Sequence, residues 1–229
     1  MKENVSFSFG PIALINKIES KYHFFEIIFG GLGGKAKSLP ESAKLFTYNK
    51  LAESISINKI NDFYPYELFE QLGFKNKISD RSLYRNLERI GNNYKFLMEN
   101  YQKFIKYNNL VSDEQFVDFS SSYFEGNKSE LGALGYSRDY RPGKMQITWG
   151  ISTGSNEIPT AITIQKGNVP DKEHFKFMLK TVSKILDKKS LLIFDCGGST
   201  KKNKEKIIGL GFNYLTLKAK QRGSYKKYL

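Results

Sequence analysis

The order of hydrophobic periodicities in the second half of the chain restricts the possible folds more than any other feature of the sequence. Three stretches with strand patterning are followed by a helix, a strand, a second helix and a last strand. In chain order these segments fall at about residues 116–119, 145–151, 158–164, 171–186, 191–194, 201–210 and 214–217. Consecutive strands favour antiparallel pairing, whereas helical crossovers favour parallel pairing. The sequence therefore predicts an α/β fold with a mixed sheet in the order β-β-β-α-β-α-β.

The first half of the chain is helical in character and predicts a helix-turn-helix unit between about residues 64 and 107. Two short helices are expected, each ending at a glycine, and a longer helix is expected from about Asn93. The apolar residues of the two short helices are Leu68, Phe69, Leu72, Leu83, Leu87 and Ile90. Two short helices joined by a brief turn are typical of this motif. We therefore divide the chain into a helical region, residues 1–110, and an α/β region, residues 111–229.

A glycine-rich segment at residues 30–36 follows the apolar stretch Phe24–Phe29, which has strand-like composition. A phosphate-binding loop would need a glycine at the position of Phe29 and a hydroxyl residue at the position of Ala36. Pro40 is also expected to cut short the helix that should follow such a loop. The segment therefore favours a flexible connection over a nucleotide site.

Composition argues against several classes of protein. Cys196 is the only cysteine, so a disulfide framework is impossible, and with only His23 and His174 a zinc site built from His and Cys is not expected. The apolar runs are far shorter than the roughly 20 residues that a bilayer span needs. No secretory signal is evident at the N-terminus. These features predict a soluble cytoplasmic protein with no membrane partner.

The net charge is +13 and it is concentrated towards the C-terminus. Between Gly197 and Leu229 there are nine lysines and arginines and a single acid, Glu205. Such a field attracts a polyanion, and nucleic acid is the commonest one in a cytoplasm. The alternative is a solubilising surface in a chain with 36 Lys and Arg residues, so the charge needs independent support.

Three arginines of the second short helix give that support. Arg81, Arg85 and Arg89 are spaced four residues apart and form one row opposite the apolar stripe. The guanidinium group suits phosphates and guanine edges, and Asn86, close to the row, could contact adenine. The alternative is a solvated row paired with Glu88. The selective use of arginine favours contact with DNA.

Two acids occupy strand positions in the second half. Asp118 lies inside the first strand, and Asp195 directly follows Leu191–Phe194, an apolar run typical of a strand buried on both faces. An acid among such residues costs free energy unless it has a partner, and Mg²⁺ or Mn²⁺ is a suitable one. The ends of strands are also where α/β sheets build sites. The alternative is that Asp195 caps the following helix or loop.

Several runs of the second half resemble the DDE-type insertion-sequence transposases, over about residues 75–220. Those runs are residues 118–126 (DFSSSYFEG), residues 135–142 (GYSRDYRP), Gln146, Gly167-Asn168 with Asp171, and Phe194-Asp195. The resemblance implies an RNase H-like core in which Asp118 and Asp195 are the first and second catalytic acids and bind Mg²⁺ or Mn²⁺. Ser120, Gly143 and Cys196 depart from the residues common in the family.

The third acid of the family, a glutamate in a Tyr-x2-Arg-x3-Glu-x6-Lys signature, has no counterpart in this sequence. Glu205 follows Asp195 too soon in the topology, and Glu125 is equally unsuitable. We therefore expect the chain to be the N-terminal portion of a longer transposase, truncated before the third acid.

The resemblance also implies partners and a reaction. The complete protein would bind double-stranded DNA at transposon ends and at a target, self-associate, and catalyse metal-dependent cleavage and strand transfer. Whether this chain is itself an enzyme stays open. One alternative is a catalytically inactive DNA-binding protein, a decayed transposase, that inhibits a full-length relative. Another is a different RNase H-like nuclease in which Glu205 completes the site.

Overall fold

The computed structural model describes residues 6–32, 38–126, 128–136 and 140–217. The chain divides into two units, Met1–Phe104 and Ile105–Leu229, which are called the helical unit and the sheet unit below. Within the described residues, no helix has both the length and the apolar character that crossing a bilayer requires.

Short and medium-length helices build the helical unit. They are α1 (Phe9–Tyr22), α2 (Phe24–Phe29), α3 (Leu39–Leu51), α4 (Ile60–Phe63), α5 (Tyr66–Gln71), α6 (Asp80–Asn92) and α7 (Tyr94–Tyr107), whose last residues belong to the sheet unit. Their buried side chains form one core around Tyr48, Tyr64 and Phe69. This core fixes the position of α6, which carries the arginine row.

The helices expected between residues 64 and 107 are present. In α5, Leu68 and Phe69 are fully buried, and Gly73 adopts a φ of 83°, which allows the chain to turn away after the helix. The hydroxyl of Ser79 caps α6 by accepting a hydrogen bond from the backbone N–H of Ser82. The apolar stripe of α6 is narrower than expected, because Leu83 is fully buried whereas Leu87 is 43% exposed.

Two expectations for the N-terminal region are wrong. Residues Phe24–Phe29 form a helix and not a strand, and Phe25 and Ile28, three residues apart, are its buried residues. A short apolar run has no period that distinguishes the two structures. Pro40 lies in the first turn of α3, where the missing N–H of proline costs nothing, so it begins a helix and does not cut one short. Residues 33–37 lie outside the described residues.

The sheet unit has the predicted α/β order. Its elements are β1 (Glu114–Phe124), β2 (Met145–Gly154), β3 (Pro159–Lys166), α8 (Asp171–Val182), β4 (Leu191–Phe194), α9 (Lys201–Gly209) and β5 (Asn213–Thr216). The strand order across the sheet is β3-β2-β1-β4-β5. The β1–β2 and β2–β3 pairs are antiparallel, and the β1–β4 and β4–β5 pairs are parallel. The prediction of a mixed sheet preceded by a helical region is confirmed.

The two faces of the sheet differ in how they are covered. Helix α8 packs against β2 and β3, and α9 packs against β5 and α8, so that side chains such as Val117 and Phe194 are buried. On the other face, called the open face, Phe116 is 48% exposed and Leu215 is 60% exposed. Strand β4 is therefore not buried on both faces as expected, because Leu191 and Ile193 are only half-buried.

Candidate functional site

Asp118 lies in β1, and Asp195 directly follows β4, the strand beside it. Strands β1 and β4 are parallel neighbours, and the last pair of their register is Val117 with Phe194. The residue after each member of this pair is an aspartate, and neighbouring strands are about 4.8 Å apart. Since side chains alternate between the faces of a sheet, Asp118 follows a residue of the covered face and belongs to the open face, whereas Asp195 lies just beyond the end of β4. Both are exposed.

The surroundings of Asp118 differ from those assumed from the sequence. The carboxylate is exposed, so burial among apolar residues does not force it to take a partner. Its Oδ1 accepts a hydrogen bond of 2.8 Å from the backbone N–H of Phe119. Across the sheet its neighbours in register are Ile151 and then Ile162, which is 43% exposed. Asp118 is therefore a carboxylate in a row of partly exposed apolar side chains.

A tight turn holds Asp195 at the end of β4. Its Oδ1 accepts a hydrogen bond of 2.9 Å from the N–H of Gly197, and its backbone oxygen accepts one of 3.0 Å from the hydroxyl of Thr216. Helix α9 is capped by Thr200, whose hydroxyl accepts from the N–H of Asn203. Asp195 thus stabilises its own turn but is not the cap of the following helix.

A third carboxylate, that of Asp171, lies beside Asp195. A Cβ atom on Gly197 would lie 2.8 Å from Asp171 Oδ2 and 3.2 Å from Asp195 Oδ1, so the two carboxylates flank one point. A side chain at residue 197 would require the carboxylate of Asp171 to shift. In the sequence Asp171 was visible only as a helix start and as part of the family resemblance.

The carboxylate oxygens of Asp118 and Asp195 are the hard ligands that suit a magnesium or manganese ion. Among the described residues, however, no group of three or more His, Cys, Asp or Glu side chains is placed to hold a metal. Asp118 and Asp195 therefore offer oxygen donors of the kind that a divalent cation takes, without a complete set of ligands among the described residues.

The two glutamates considered as a third acid have other partners. Glu125 lies seven residues beyond Asp118 along β1 and past its end, which corresponds to roughly 23 Å of extended chain. It forms an ion pair with Lys144, which lowers the pKa of its carboxyl group. Glu205 is exposed on α9, with its carboxylate 3.9 Å from Lys201.

The exposure of the residues proposed to contact DNA on α6 agrees only in part with the expectation. Arg81 and Arg85 are exposed, and Arg89 is half-buried. Asn86, by contrast, is only 2% exposed, and its amide donates hydrogen bonds of 2.9 Å to the hydroxyl of Ser38 and 2.8 Å to that of Ser42. The amide joins α6 to the start of α3 and is not available to a base. The interpretation of Asn86 as a DNA contact is corrected accordingly.

Three of the quoted motifs, which are separated in the sequence, converge near the start of β2. The amide of Gln146 donates to the backbone oxygens of Tyr136, at 3.0 Å, and Gly167, at 2.9 Å. A Cβ on Gly135 would lie 2.1 Å from the oxygen of Gly167, so the two segments touch through backbone alone. These residues are structural and attach the loop before β2 to the sheet. Residues 137–139 of the same motif lie outside the described residues.

Comparisons with known proteins give matches among solved structures only. No protein-family model matches the sequence. No curated protein matches it significantly. The chain is similar to piggyBac transposase in a synaptic complex with hairpin DNA, with a TM-score of 0.49, 9% identity, and coverage of 94% of this chain and 52% of that chain.

The chain is also similar to Mos1 transposase in a paired-end complex with the left transposon end, with a TM-score of 0.35, 13% identity, and coverage of 82% of this chain and 61% of that one. A Mos1 strand transfer complex matches with a TM-score of 0.31, 13% identity, and coverage of 80% and 59%. This chain therefore spans between half and two thirds of the length of these three transposase chains.

Proposed function

We propose that the chain is part of a DNA transposase of the DDE type, with an RNase H-like core of the insertion-sequence class. The observation that supports this proposal is the register of β1 against β4, whose last pair, Val117 with Phe194, directly precedes Asp118 and Asp195. The motifs around both aspartates, quoted above, support the same assignment. In the complete protein the reaction would be cleavage and transfer of phosphodiester bonds at transposon ends, in a cytoplasmic setting and with self-association.

The roles of the site residues follow from their chemistry. Asp118 and Asp195 would hold Mg²⁺ or Mn²⁺, which when bound activates an attacking oxygen and stabilises a leaving oxygen of a phosphodiester. The Gly197 N–H, by bonding one oxygen of Asp195, orients that carboxylate at the end of β4. Two carboxylates offset less charge than two adjacent divalent cations need, so we expect this chain to cleave DNA poorly or not at all.

The helical unit would supply DNA binding. Arg81 and Arg85 are exposed on one face of α6, four residues apart, and Arg89 continues the row. Guanidinium groups in such a row can each contact a phosphate or a guanine edge. The opposite face of α6 is packed into its unit through Leu83 and Asn86, which would hold the row rigidly.

A second candidate function is a DNA-binding protein without catalytic activity that inhibits a full-length relative. It is favoured by the lack of a three-acid group among the described residues. A third, a nuclease completed by Glu205, predicts that alanine at Glu205 abolishes cleavage, whereas the transposase proposal predicts no effect.

The test of the metal site is the binding of Mn²⁺ to the purified chain, followed by electron paramagnetic resonance. We expect Asp118→Asn and Asp195→Asn each to weaken Mn²⁺ binding by about tenfold or more, because the amide oxygen that remains carries no negative charge. Asp187→Asn, which removes an exposed carboxylate beyond the other end of β4, is the matched control and should bind as wild type does. Equal Mn²⁺ affinity in all three variants would reject the metal site.

The test of the DNA-binding unit is the dependence of DNA affinity on salt. Arg85→Ala should lower the salt slope by about one unit if the side chain contacts a phosphate. Lys17→Ala, which removes an exposed cation from α1 of the same unit, should leave the slope unchanged. If Arg85→Ala and Lys17→Ala lowered the salt slope equally, the proposal that α6 contacts DNA would be rejected.

A further inference from the structure

The sheet unit carries a cluster of lysines next to its candidate metal site. Lys172 and Lys176 lie one turn apart on α8, and Lys202 lies in the first turn of α9. Lys172 and Lys202 are exposed and Lys176 is half-buried. These three residues are called the lysine cluster.

Contacts between the two helix starts bring the cluster together. The amide of Asn203 donates hydrogen bonds of 3.0 Å to the backbone oxygen of Lys172 and 2.9 Å to that of Gly198. Glu173 is ion-paired with Lys176. The pKa of Glu173 is lowered by Lys176 first, and further by Lys172 and Lys202. One acid offsets only one of the three positive charges, so the cluster keeps an excess of positive charge.

The position of the cluster relative to the acids is given by Gly197. Asp171, the residue before Lys172, reaches the same point beside Gly197 as Asp195 does. The lysine cluster therefore lies at the end of the sheet at which β4 ends and Asp195 follows. A phosphodiester approaching the aspartates would meet repulsion from their carboxylates unless nearby cations offset it. Lysines at the rim of the site supply such an offset.

We propose that the lysine cluster binds the phosphate backbone of double-stranded DNA and holds it beside Asp195, at the end of β4. This inference rests on the proposed function. It names the residues by which the sheet unit binds its DNA substrate, separately from the arginine row. Lysine acts there as a point charge on a flexible stem and does not discriminate between bases. The cluster therefore contributes to affinity and to placement, and sequence selection falls to other contacts.

The chain offers a matched control for this proposal. Lys184 and Lys188 are exposed and lie just beyond the other end of α8, and Lys184 is about 18 Å along the helix direction from Lys172. Replacing this pair by alanine removes the same charge from the same unit as replacing Lys172 and Lys202. A difference in DNA binding between the two double variants therefore reflects the position of the lysines and not the net charge of the chain.

The experiment is a fluorescence anisotropy titration of the full chain with a short DNA duplex of mixed sequence, in EDTA, at several salt concentrations. The Lys172→Ala/Lys202→Ala variant should lower the slope of log affinity against log salt by about two units, one for each phosphate contact. The Lys184→Ala/Lys188→Ala variant should keep the wild-type slope. Lys172→Arg/Lys202→Arg, which keeps both charges, should also keep it, which separates loss of contact from loss of fold.

Two outcomes would overturn the inference by itself. One is an equal reduction of the slope in both alanine variants, which would mean that DNA responds to the overall positive charge of the sheet unit and not to the lysine cluster. The other is an unchanged slope in the cluster variant while Arg85→Ala still lowers it, which would leave the proposed function standing. A wild-type chain that shows no salt-dependent binding to the duplex would overturn the proposed function and this inference together.

Discussion

The helical unit and the sheet unit bury their apolar side chains in different ways. In the helical unit, large rings such as Tyr48 and Phe69 are 0% exposed and are enclosed by several helices. In the sheet unit, α8 and α9 cover one face, and the open face leaves Phe116 and Leu215 about half or more exposed. A sheet can bury one face under helices and leave the other partly exposed. Asp118 therefore lies on the less enclosed face of the less enclosed unit.

The two units can be followed separately in one sample. Trp149 is the only tryptophan of the chain and belongs to β2, so its fluorescence reports on the sheet unit. Far-ultraviolet circular dichroism is dominated by helices, most of which belong to the helical unit.

The largest effect is expected from Phe69→Ala in the core of the helical unit. Removing a fully buried ring should cost about 3–5 kcal/mol of unfolding free energy, because the surrounding helices cannot fill the cavity. The circular dichroism transition in urea should move to lower concentration, and the Trp149 transition should move less. A cost below about 1 kcal/mol would show that this core is loosely packed.

A comparable effect in the sheet unit is expected from Gly167→Ala. A Cβ at this position would lie 2.0 Å from the backbone oxygen of Gln146, and backbone cannot move aside as a side chain can. The cost should be about 3 kcal/mol and should be seen in Trp149 fluorescence. Gly143→Ala is a control with open space, at which only the φ of 81° opposes a side chain. Equal costs at the two glycines would reject the close contact.

A smaller effect is expected from Asn86→Ala on the buried side of α6. The substitution removes the donor to Ser38 and Ser42 and should cost about 1–3 kcal/mol. The unfolding free energy from circular dichroism measures it. Arg85→Ala, on the exposed side of the same turn, should change stability by less than about 0.5 kcal/mol. A larger loss of stability in Arg85→Ala than in Asn86→Ala would contradict the burial of Asn86.

The alkaline behaviour of the helical unit should depend on Tyr64. Burial, with a smaller contribution from Tyr48, raises the pKa of Tyr64 to about 12. Because the folded-state pKa lies above the ordinary value near 10, the neutral phenol stabilises the fold fully below pH 10, and this contribution is lost as pH rises towards 12. Tyr64→Phe loses the hydrogen bond to Asn49 but should flatten this pH dependence of the melting temperature. An unchanged slope above pH 10 would contradict it.

The smallest effect is expected from Leu215→Ala on the open face. This side chain is 60% exposed, so little apolar surface is lost on substitution, and the cost should be below about 0.5 kcal/mol. Val117→Ala, on the covered face of β1, is the contrast and should cost more, since Val117 is only 5% exposed. If Leu215→Ala were the more costly change, the open face would be packed in solution and the comparison of the two units would fail.

Hydrophobic periodicity in the sequence was sufficient to predict most of the fold but little of the candidate site. The strands of the sheet unit follow from alternation and from apolar runs, which depend only on neighbours in sequence. The same reasoning failed at Phe24–Phe29, because six apolar residues fit either a helix or a strand. It also failed at Asn86, although Asn86 is three residues from Leu83 and so shares its buried side of α6.

The order of elements, the positive charge and the presence of an aspartate at the end of β4 follow from the amino-acid sequence alone. Which groups meet depends on the tertiary structure. The neighbourhood of Asp118 and Asp195 depends on the register of two strands whose paired residues, such as Val117 and Phe194, are 77 positions apart in the sequence, and that of Asp171 depends on how the start of α8 packs beside Gly197. Such contacts are set by the packing of distant segments, and no local period in the chain encodes them.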